Sequence, residues 1–222
     1  MPKIGVIHTT RVSVPLLRDA FAQAAPEIEL MDLVHDGLLT EVMRAGGLTP
    51  AIVRVLCRHV MSMADLGCDA VLAACSSVSE GFDVARTLVS IPVVKIDEAM
   101  ADEAVRSAER IAVVATVKTT LDPTARLIQR KGVERNRAVR LDVRLVPGAF
   151  DALVSGNGAL HDQKVLDEVR DAARTAELVV LAQASMSRLL PVLGPDVRVP
   201  VLTSPGLAVK RVLDSVRTSG AA

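Results

Sequence analysis

A cysteine followed by two serines is the stretch of this 222-residue chain that is best suited to chemistry. Cys75, Ser76 and Ser77 come directly after an apolar run, and a helical pattern follows them. A helix N-terminus lowers the pKa of a thiol from about 8.5 and offers N–H groups to an anion. We therefore expect Cys75 to carry some thiolate at neutral pH, and Ser76 and Ser77 to hold a carboxylate. The alternative is a buried structural cysteine. We interpret Cys57, within a predicted helix, and Cys68, before a predicted strand, as core or loop residues.

Short apolar runs alternate with helical patterns along the whole chain. The runs cover residues 3–8, 28–34, 69–74, 91–96, 110–116, 139–146, 179–185 and 199–202. Aliphatic runs without polar alternation are typical of strands buried on both faces, and helices between such strands indicate a parallel sheet. The chain is therefore predicted to be an α/β protein.

The second half of the chain repeats the first. RIAVVAT follows KIGVIHT by 107 residues, VVLAQAS follows AVLAACS by 109, and VPVL follows IPVV by 108. The repeat predicts two pseudo-symmetric lobes, each with a roughly four-stranded parallel sheet flanked by helices, and a ligand cleft between the lobes. We expect the first lobe to cover 1–108 and the second 109–222, with a C-terminal helix at about 205–218 packing back on the first.

The residues just after the predicted strands are the candidate site, because ligands of open parallel sheets bind beyond the carboxyl ends of the strands. The candidate catalytic residues are Cys75 and, as a general base after the first strand, His8. The candidate substrate-binding residues are Thr9, Thr10, Ser76, Ser77, Thr116, Lys118, Thr119, Ala184 and Ser185. For the threonines the alternative is ordinary strand-end capping, and for Lys118 it is a solvated position at a helix start.

Two short turns are similar to those of a known family. AACSS fits a Cys-Ser/Asn-Ser/Thr turn after a third strand, and VATVKT resembles an Ala-Thr-x-Gly-Thr turn, with Lys118 where glycine is usual. Through these two turns the chain resembles the aspartate/glutamate/hydantoin racemase superfamily. The resemblance covers nearly the whole chain. The resemblance implies two lobes that each supply one cysteine. It also implies that one thiolate removes the α-proton and the opposite thiol returns another, without metal or cofactor.

The second cysteine of that pair is missing here. At the position that the 109-residue offset matches to Cys75 the chain has Ala184, and Gln183 and Met186 also depart from the family's pattern. We therefore expect a divergent, single-thiol member. One thiol is enough to protonate an enediolate after loss of a carboxylate, as in arylmalonate decarboxylase-like members. It is also enough for isomerisation through thiolate addition, as in maleate isomerase-like members.

Composition restricts the partners. The chain has 26 basic and 26 acidic residues, three Phe and no Trp or Tyr, which argues against nucleic-acid and membrane partners. Free cysteines without C-x-x-C spacing, and no signal-peptide or spanning pattern, predict a cytoplasmic protein without a metal site. The mean hydropathy of +0.36 and the apolar circumference of a helix at 50–66 predict a homodimer or higher homo-oligomer.

The sequence thus predicts a cofactor-independent enzyme of the racemase superfamily, of isomerase or lyase type. It would act at the α-carbon of a small carboxylate substrate and use a single catalytic thiol. The alternative is a catalytically silent carboxylate-binding protein on the same fold.

Overall fold

The computed structural model describes residues 1–219, which form two compact units. Met1–Ala99 and residues 205–219 belong to unit 1, and Met100–Ser204 form unit 2. Each unit contains one four-stranded sheet in which every strand pair is parallel. The predicted α/β class, with two four-stranded parallel sheets flanked by helices, is confirmed.

Unit 1 has the strand order β2-β1-β3-β4. Its strands are β1 (Lys3–His8), β2 (Glu29–Val34), β3 (Ala70–Ala73) and β4 (Val93–Lys95). Its helices are α1 (Ser13–Ala24), α2 (Leu38–Ala45), α3 (Pro50–Asp65), α4 (Phe82–Ala85) and the C-terminal α9 (Ser204–Ser219), and 3-10 helices cover Ser76–Gly81 and Arg86–Leu88. Helix α5 (Glu98–Ser107) begins in unit 1 and continues into unit 2.

Unit 2 has the equivalent strand order, β6-β5-β7-β8. Its strands are β5 (Arg110–Ala115), β6 (Arg140–Leu145), β7 (Leu178–Leu181) and β8 (Val201–Thr203). Its helices are α6 (Lys118–Glu134), α7 (Ala149–Val154) and α8 (Gly158–Ala172), and a 3-10 helix covers Ala184–Val192.

Hydrophobicity explains which strands are central and which lie at the edges. AVLA in β3 and LVVL in β7 are buried at every residue, as expected of inner strands of a parallel sheet. ELMDLV in β2 and RLDVRL in β6 carry charges and are partly exposed, which suits the edge positions that both occupy. Each sheet therefore contributes its inner strands to the core of its own unit.

The helical pattern that follows Cys75 does not form one continuous α-helix. Two short 3-10 helices flank the four-residue α4, and the first of them begins directly after Cys75. Its sequence, SSVSEG, is rich in serines, whose side chains compete with helical backbone hydrogen bonds. The short helix α2 was not predicted, because it contains only eight residues and lies between Gly37 and Gly46.

Candidate active site

The site begins where the two central strands of unit 1 end. Strands β1 and β3 pair in register with Ile7 opposite Ala73, so Thr9 and Cys75 are level with each other, two residues further on. The N–H of Ala74 still donates to the carbonyl of Ile7 at 2.9 Å, which keeps the two chains together beyond the strands. Cys75 has an extended backbone and is the N-cap residue of the 3-10 helix Ser76–Gly81.

Hydrogen-bond donors surround the sulfur of Cys75. The hydroxyl groups of Thr9 and Ser77 and the N–H groups of Ser77 and Val78 lie close to it, and all four favour the thiolate. The Val78 N–H also donates to the Cys75 carbonyl at 3.4 Å. Thr9, Ser76 and Ser77 are buried, whereas Cys75 itself is partly exposed. The structure therefore brings the thiol together with three of the predicted substrate-binding residues.

The pKa of the Cys75 thiol is nevertheless raised, and the expectation that it would be lowered is wrong. Burial disfavours the charged thiolate, and this effect outweighs the hydrogen bonds from Thr9, Ser77 and Val78. The sequence-based expectation assumed a solvated helix N-terminus. In the structure the helix is a short 3-10 turn packed into the core, so desolvation dominates.

His8 lies beside this site, but both of its ring nitrogens have partners. Its Nδ1 is 2.7 Å from the hydroxyl oxygen of Ser13, and its Nε2 is 3.0 Å from Oδ1 of Asp32. Arg18 donates to the second oxygen of Asp32 at 2.6 Å. Burial lowers the pKa of His8, and the hydrogen bond to Asp32 acts in the opposite direction. A direct role for His8 as a base on substrate stays a prediction, and it would require breaking one of these contacts.

Unit 2 contains an equivalent strand end with a different side chain. Strands β5 and β7 pair with Val114 opposite Leu181, so Thr116 is level with Gln183. The N–H and the hydroxyl of Thr116 donate to Oε1 of Gln183 at 2.6 and 2.9 Å. Gln183 is also the N-cap residue of the following 3-10 helix, as Cys75 is in unit 1.

The internal counterpart of Cys75 is therefore Gln183, and the match to Ala184 is wrong. Strand register, N-cap position and the threonine contact all give an offset of 108 residues, whereas matching the aliphatic letters gave 109. Ala184 corresponds to Ser76 and is the first residue of its 3-10 helix. The side chain that replaces a second thiol is thus a carboxamide whose oxygen is already engaged by Thr116.

The remaining candidates occupy varied positions. Lys118 is exposed at the first residue of α6, and Ala184 and Ser185 are partly exposed. The hydroxyl of Thr119 is buried without a hydrogen-bond partner in the described part of the chain. The carbonyl of Thr10 accepts a hydrogen bond from Ser13 at 3.2 Å. Substrate binding by these residues stays a prediction.

Sequence reasoning missed several polar residues around the strand ends. Asp97 follows β4 and could be taken for an acidic residue at the start of the next helix, but it is fully buried and accepts a 2.7 Å hydrogen bond from Ser79. Asp32 could have been suspected, because it is an acidic residue inside an otherwise apolar run. Ser13 carries no such signal, since a serine at a helix start is common.

Within residues 1–219 no three His, Cys, Asp or Glu side chains cluster as a metal site would require. Nor does this part of the chain contain a helix long and apolar enough to cross a lipid bilayer. The chemistry available at the described strand ends is that of a thiol, hydroxyl groups, a carboxamide, the imidazole of His8 and the carboxyl group of Asp97.

The duplicated parallel sheets and their strand-end turns define a two-unit α/β protein with internally repeated halves. The chain belongs to the Asp/Glu/Hydantoin racemase family, whose sequence profile matches residues 4–212. No curated protein sequence matches the chain.

Solved structures of racemases share this fold. An allantoin racemase from Klebsiella pneumoniae is 24% identical, with a TM-score of 0.72 over 99% of this chain and 89% of that one. A glutamate racemase from Francisella tularensis subsp. tularensis SCHU S4, in complex with D-glutamate, is 15% identical, with a TM-score of 0.74 over 99% and 82%. An aspartate racemase homologue from Pyrococcus horikoshii OT3 is 17% identical, with a TM-score of 0.70 over 98% and 100%.

Proposed function

We propose that this racemase-family chain is a cofactor-independent enzyme that acts at the α-carbon of a small carboxylate, with Cys75 as its single acid/base thiol. The observation that carries the proposal is the position of Cys75, which lies level with Thr9 at the strand ends and caps the 3-10 helix Ser76–Gly81. The donors of Thr9, Ser77 and Val78 therefore lie close to its sulfur. A merely structural cysteine has no need of hydroxyl and N–H groups directed at its sulfur. These donors stabilise the negative charge that appears when the thiol gives up its proton.

The raised pKa of Cys75 favours the role of proton donor. At neutral pH the group is mainly a thiol, so it is ready to protonate a carbanion or enediolate and is poorly prepared to remove a proton. This supports protonation after loss of a carboxylate, or another one-face reaction of isomerase or lyase type. Gln183 supplies amide N–H groups at the equivalent turn and cannot act as the second acid.

The substrates named for the similar structures guide the choice of compounds. Two of these structures are racemases of allantoin and glutamate, and the third is an aspartate racemase homologue. The panel of test compounds therefore includes ureido acids and acidic amino acids beside malonates and hydroxyacids. The protein is incubated with each compound in D₂O, and NMR follows deuterium incorporation at the α-carbon and loss of CO₂.

Cys75→Ala is expected to abolish the detected reaction while the free energy of unfolding changes little, because shortening a strand-end thiol leaves a small cavity. Cys57→Ala is the matched control, since Cys57 is also a free and partly buried cysteine, on α3, and should leave the activity unchanged. Activity that survives in Cys75→Ala would contradict the proposal.

Iodoacetamide labelling separates the enzyme from a silent carboxylate-binding protein. For an enzyme we expect Cys75 to be alkylated, slowly at pH 7 and faster above the ordinary thiol pKa of about 8.5, and to be protected by malonate. A panel without any turnover, combined with malonate binding that Cys75→Ala leaves unchanged, would support the binding protein instead.

A further inference from the structure

A second group of reactive side chains in unit 1 is linked by consecutive hydrogen bonds. The hydroxyl oxygen of Ser13 lies 2.7 Å from Nδ1 of His8, and Nε2 of the same ring lies 3.0 Å from Asp32. Ser13 begins α1, His8 ends β1 and Asp32 lies in β2, so three elements meet at this point. We refer to Ser13, His8 and Asp32 as the Ser–His–Asp relay.

The protonation of the relay follows from its partners. Arg18 Nε donates to Oδ2 of Asp32 at 2.6 Å, and the carboxylate group of Asp32 only accepts hydrogen bonds. Nε2 of His8 must then carry the proton that it shares with Asp32. Burial lowers the pKa of His8, so the ring is neutral near pH 7 and Nδ1 has a free lone pair. The proton of Ser13 Oγ lies within reach of two acceptors, the carbonyl of Thr10 at 3.2 Å and Nδ1 of His8 at 2.7 Å. In this tautomer the shorter contact makes Nδ1 the acceptor, which gives the Ser13 hydroxyl its own base.

Exposure increases along the relay toward the serine. His8 is fully buried, the Asp32 side chain is 11% exposed, and Ser13 is partly exposed. Ser13 is the first residue of the 12-residue α1, so the positive end of the helix dipole lies at its hydroxyl and favours developing negative charge there. The reactive end of the relay therefore faces outward, and its supporting groups lie inside.

The fold itself does not require the relay. In unit 2 the equivalent β-α-β junction is built from β5, α6 and β6 with apolar residues, because register places Ala115 at the position of His8 and Val143 at that of Asp32. The same architecture forms there without polar groups at these two positions. Burying an imidazole and a carboxylate in unit 1 costs free energy, which favours a chemical role for them over a packing role.

We propose that Ser13 is a base-activated nucleophile that reacts with small activated acyl or phosphoryl compounds, separately from the Cys75 site. Ser13 Oγ forms a bond to the acyl carbon of an ester while its proton moves to Nδ1 of His8. The bond between the acyl carbon and the alkoxide then breaks, and the leaving alkoxide takes that proton from His8. Asp32 stabilises the imidazolium while His8 holds the proton. A water molecule, deprotonated by His8 in the same way, then releases the acid and regenerates Ser13.

Diisopropyl fluorophosphate tests the proposal with the full chain, in a Cys75→Ala background that removes the competing thiol. We expect one added phosphoryl group, mapped to Ser13 by peptide mass spectrometry, and none in Ser13→Ala. Asp32→Asn and His8→Gln should slow labelling about 10²-fold or more, the usual share of a general base. 4-Nitrophenyl acetate should give a burst of nitrophenolate that Ser13→Ala loses.

A pH profile distinguishes activation from simple exposure. The rate of labelling should fall as pH decreases through the pKa of His8, which lies below its usual 6.5, because protonated Nδ1 cannot accept the serine proton. Ser155 is the internal control, since it is exposed and its hydroxyl donates only to the Ala152 carbonyl, at 3.0 Å.

Absence of label on Ser13 would overturn the proposal. So would labelling of Ser13 at the same rate in Asp32→Asn, or labelling of Ser155 to the same extent. If His8→Gln does not give a folded protein by circular dichroism, the Asp32→Asn rate and the pH profile of the parent decide the question.

Discussion

The carboxyl group of Asp97 is fully buried after β4 and has unequal partners for its two oxygens. Oδ1 accepts the Ser79 hydroxyl at 2.7 Å, whereas Oδ2 has no hydrogen-bond partner in the described part of the chain. Burial raises the pKa of Asp97 to about 6, although Ser79 and the nearby Lys95 act in the opposite direction. Ser79 belongs to the 3-10 helix that begins after Cys75, so the charge of Asp97 bears on the helix that holds the thiol.

Asp97 makes the stability of the protein depend on pH in a defined direction. Its pKa is about 6 when folded and 3.8 in the reference state, so the folded chain binds this proton more tightly. The stabilisation is fully present below pH 3.8 and is lost as pH rises through 6, by about 3 kcal/mol in total. The Asp97→Asn variant should lack this loss of stability between acidic and neutral pH. Urea unfolding of the parent and the variant at pH 4.5 and 7.5 would measure the free energy of unfolding of each. Equal pH slopes for the two proteins would show that Asp97 does not titrate in this way.

At the scale of elements, the aliphatic runs predict the strands well, because an inner strand of a parallel sheet needs little more than buried Val, Ile, Leu and Ala. They do not fix register. Matching VVLA to AVLA makes Ala184 the counterpart of Cys75 in the second half of the chain. Strand pairing and N-cap position show that the counterpart is Gln183. The contacts of His8 with Ser13 and Asp32 join separate elements, so they could not be predicted from local sequence.

The register gives a paired test of where a second thiol would belong. If the paired-thiol chemistry implied by the family resemblance is available to this fold, Gln183→Cys should create or raise racemisation of a compound that the parent only exchanges or decarboxylates. A positioned second acid/base group is worth roughly 10²–10⁴-fold. Ala184→Cys is the control and should gain nothing, because Ala184 corresponds to Ser76. Chiral chromatography of the products compares the racemisation rates of the two variants. Faster racemisation in Ala184→Cys alone would mean that Ala184, at the 109-residue offset, is the true counterpart of Cys75.

The 3-10 helix after Cys75 packs so closely against α3 that a larger residue at Gly81 would force a buried side chain to move. A Cβ at Gly81 would lie 2.6 Å from Cδ1 of Leu56, a fully buried residue. Gly81→Ala should therefore lower the free energy of unfolding by about 1–3 kcal/mol, as overpacking usually does. Gly194→Ala is the control, because a methyl group at that position would meet no other atom within 4 Å. Urea unfolding would measure both, and equal stability of the two variants would contradict the close contact.

At the scale of the whole molecule, self-association stays a prediction, and the structure adds candidate surface for it. Val143 and Leu145 are 45% and 42% exposed on the edge strand β6, and Met61 on α3 is 43% exposed. Apolar residues on an unpaired edge strand favour contact with another chain. We expect a homodimer or larger assembly by light scattering at micromolar concentration. A monomer at that concentration would contradict the prediction.

Unit 1 is discontinuous in the chain, and this affects the order in which the protein can be completed on the ribosome. Unit 2 is continuous from Met100 to Ser204, whereas unit 1 also needs residues from 205 onward. Helix α9 contributes Ala208, Val209 and Val212 as buried side chains, so unit 1 lacks part of its packing until that helix has been synthesised. The half that contains Cys75 is thus finished last, and a chain interrupted before α9 should leave the thiol in an incomplete unit even though unit 2 is whole.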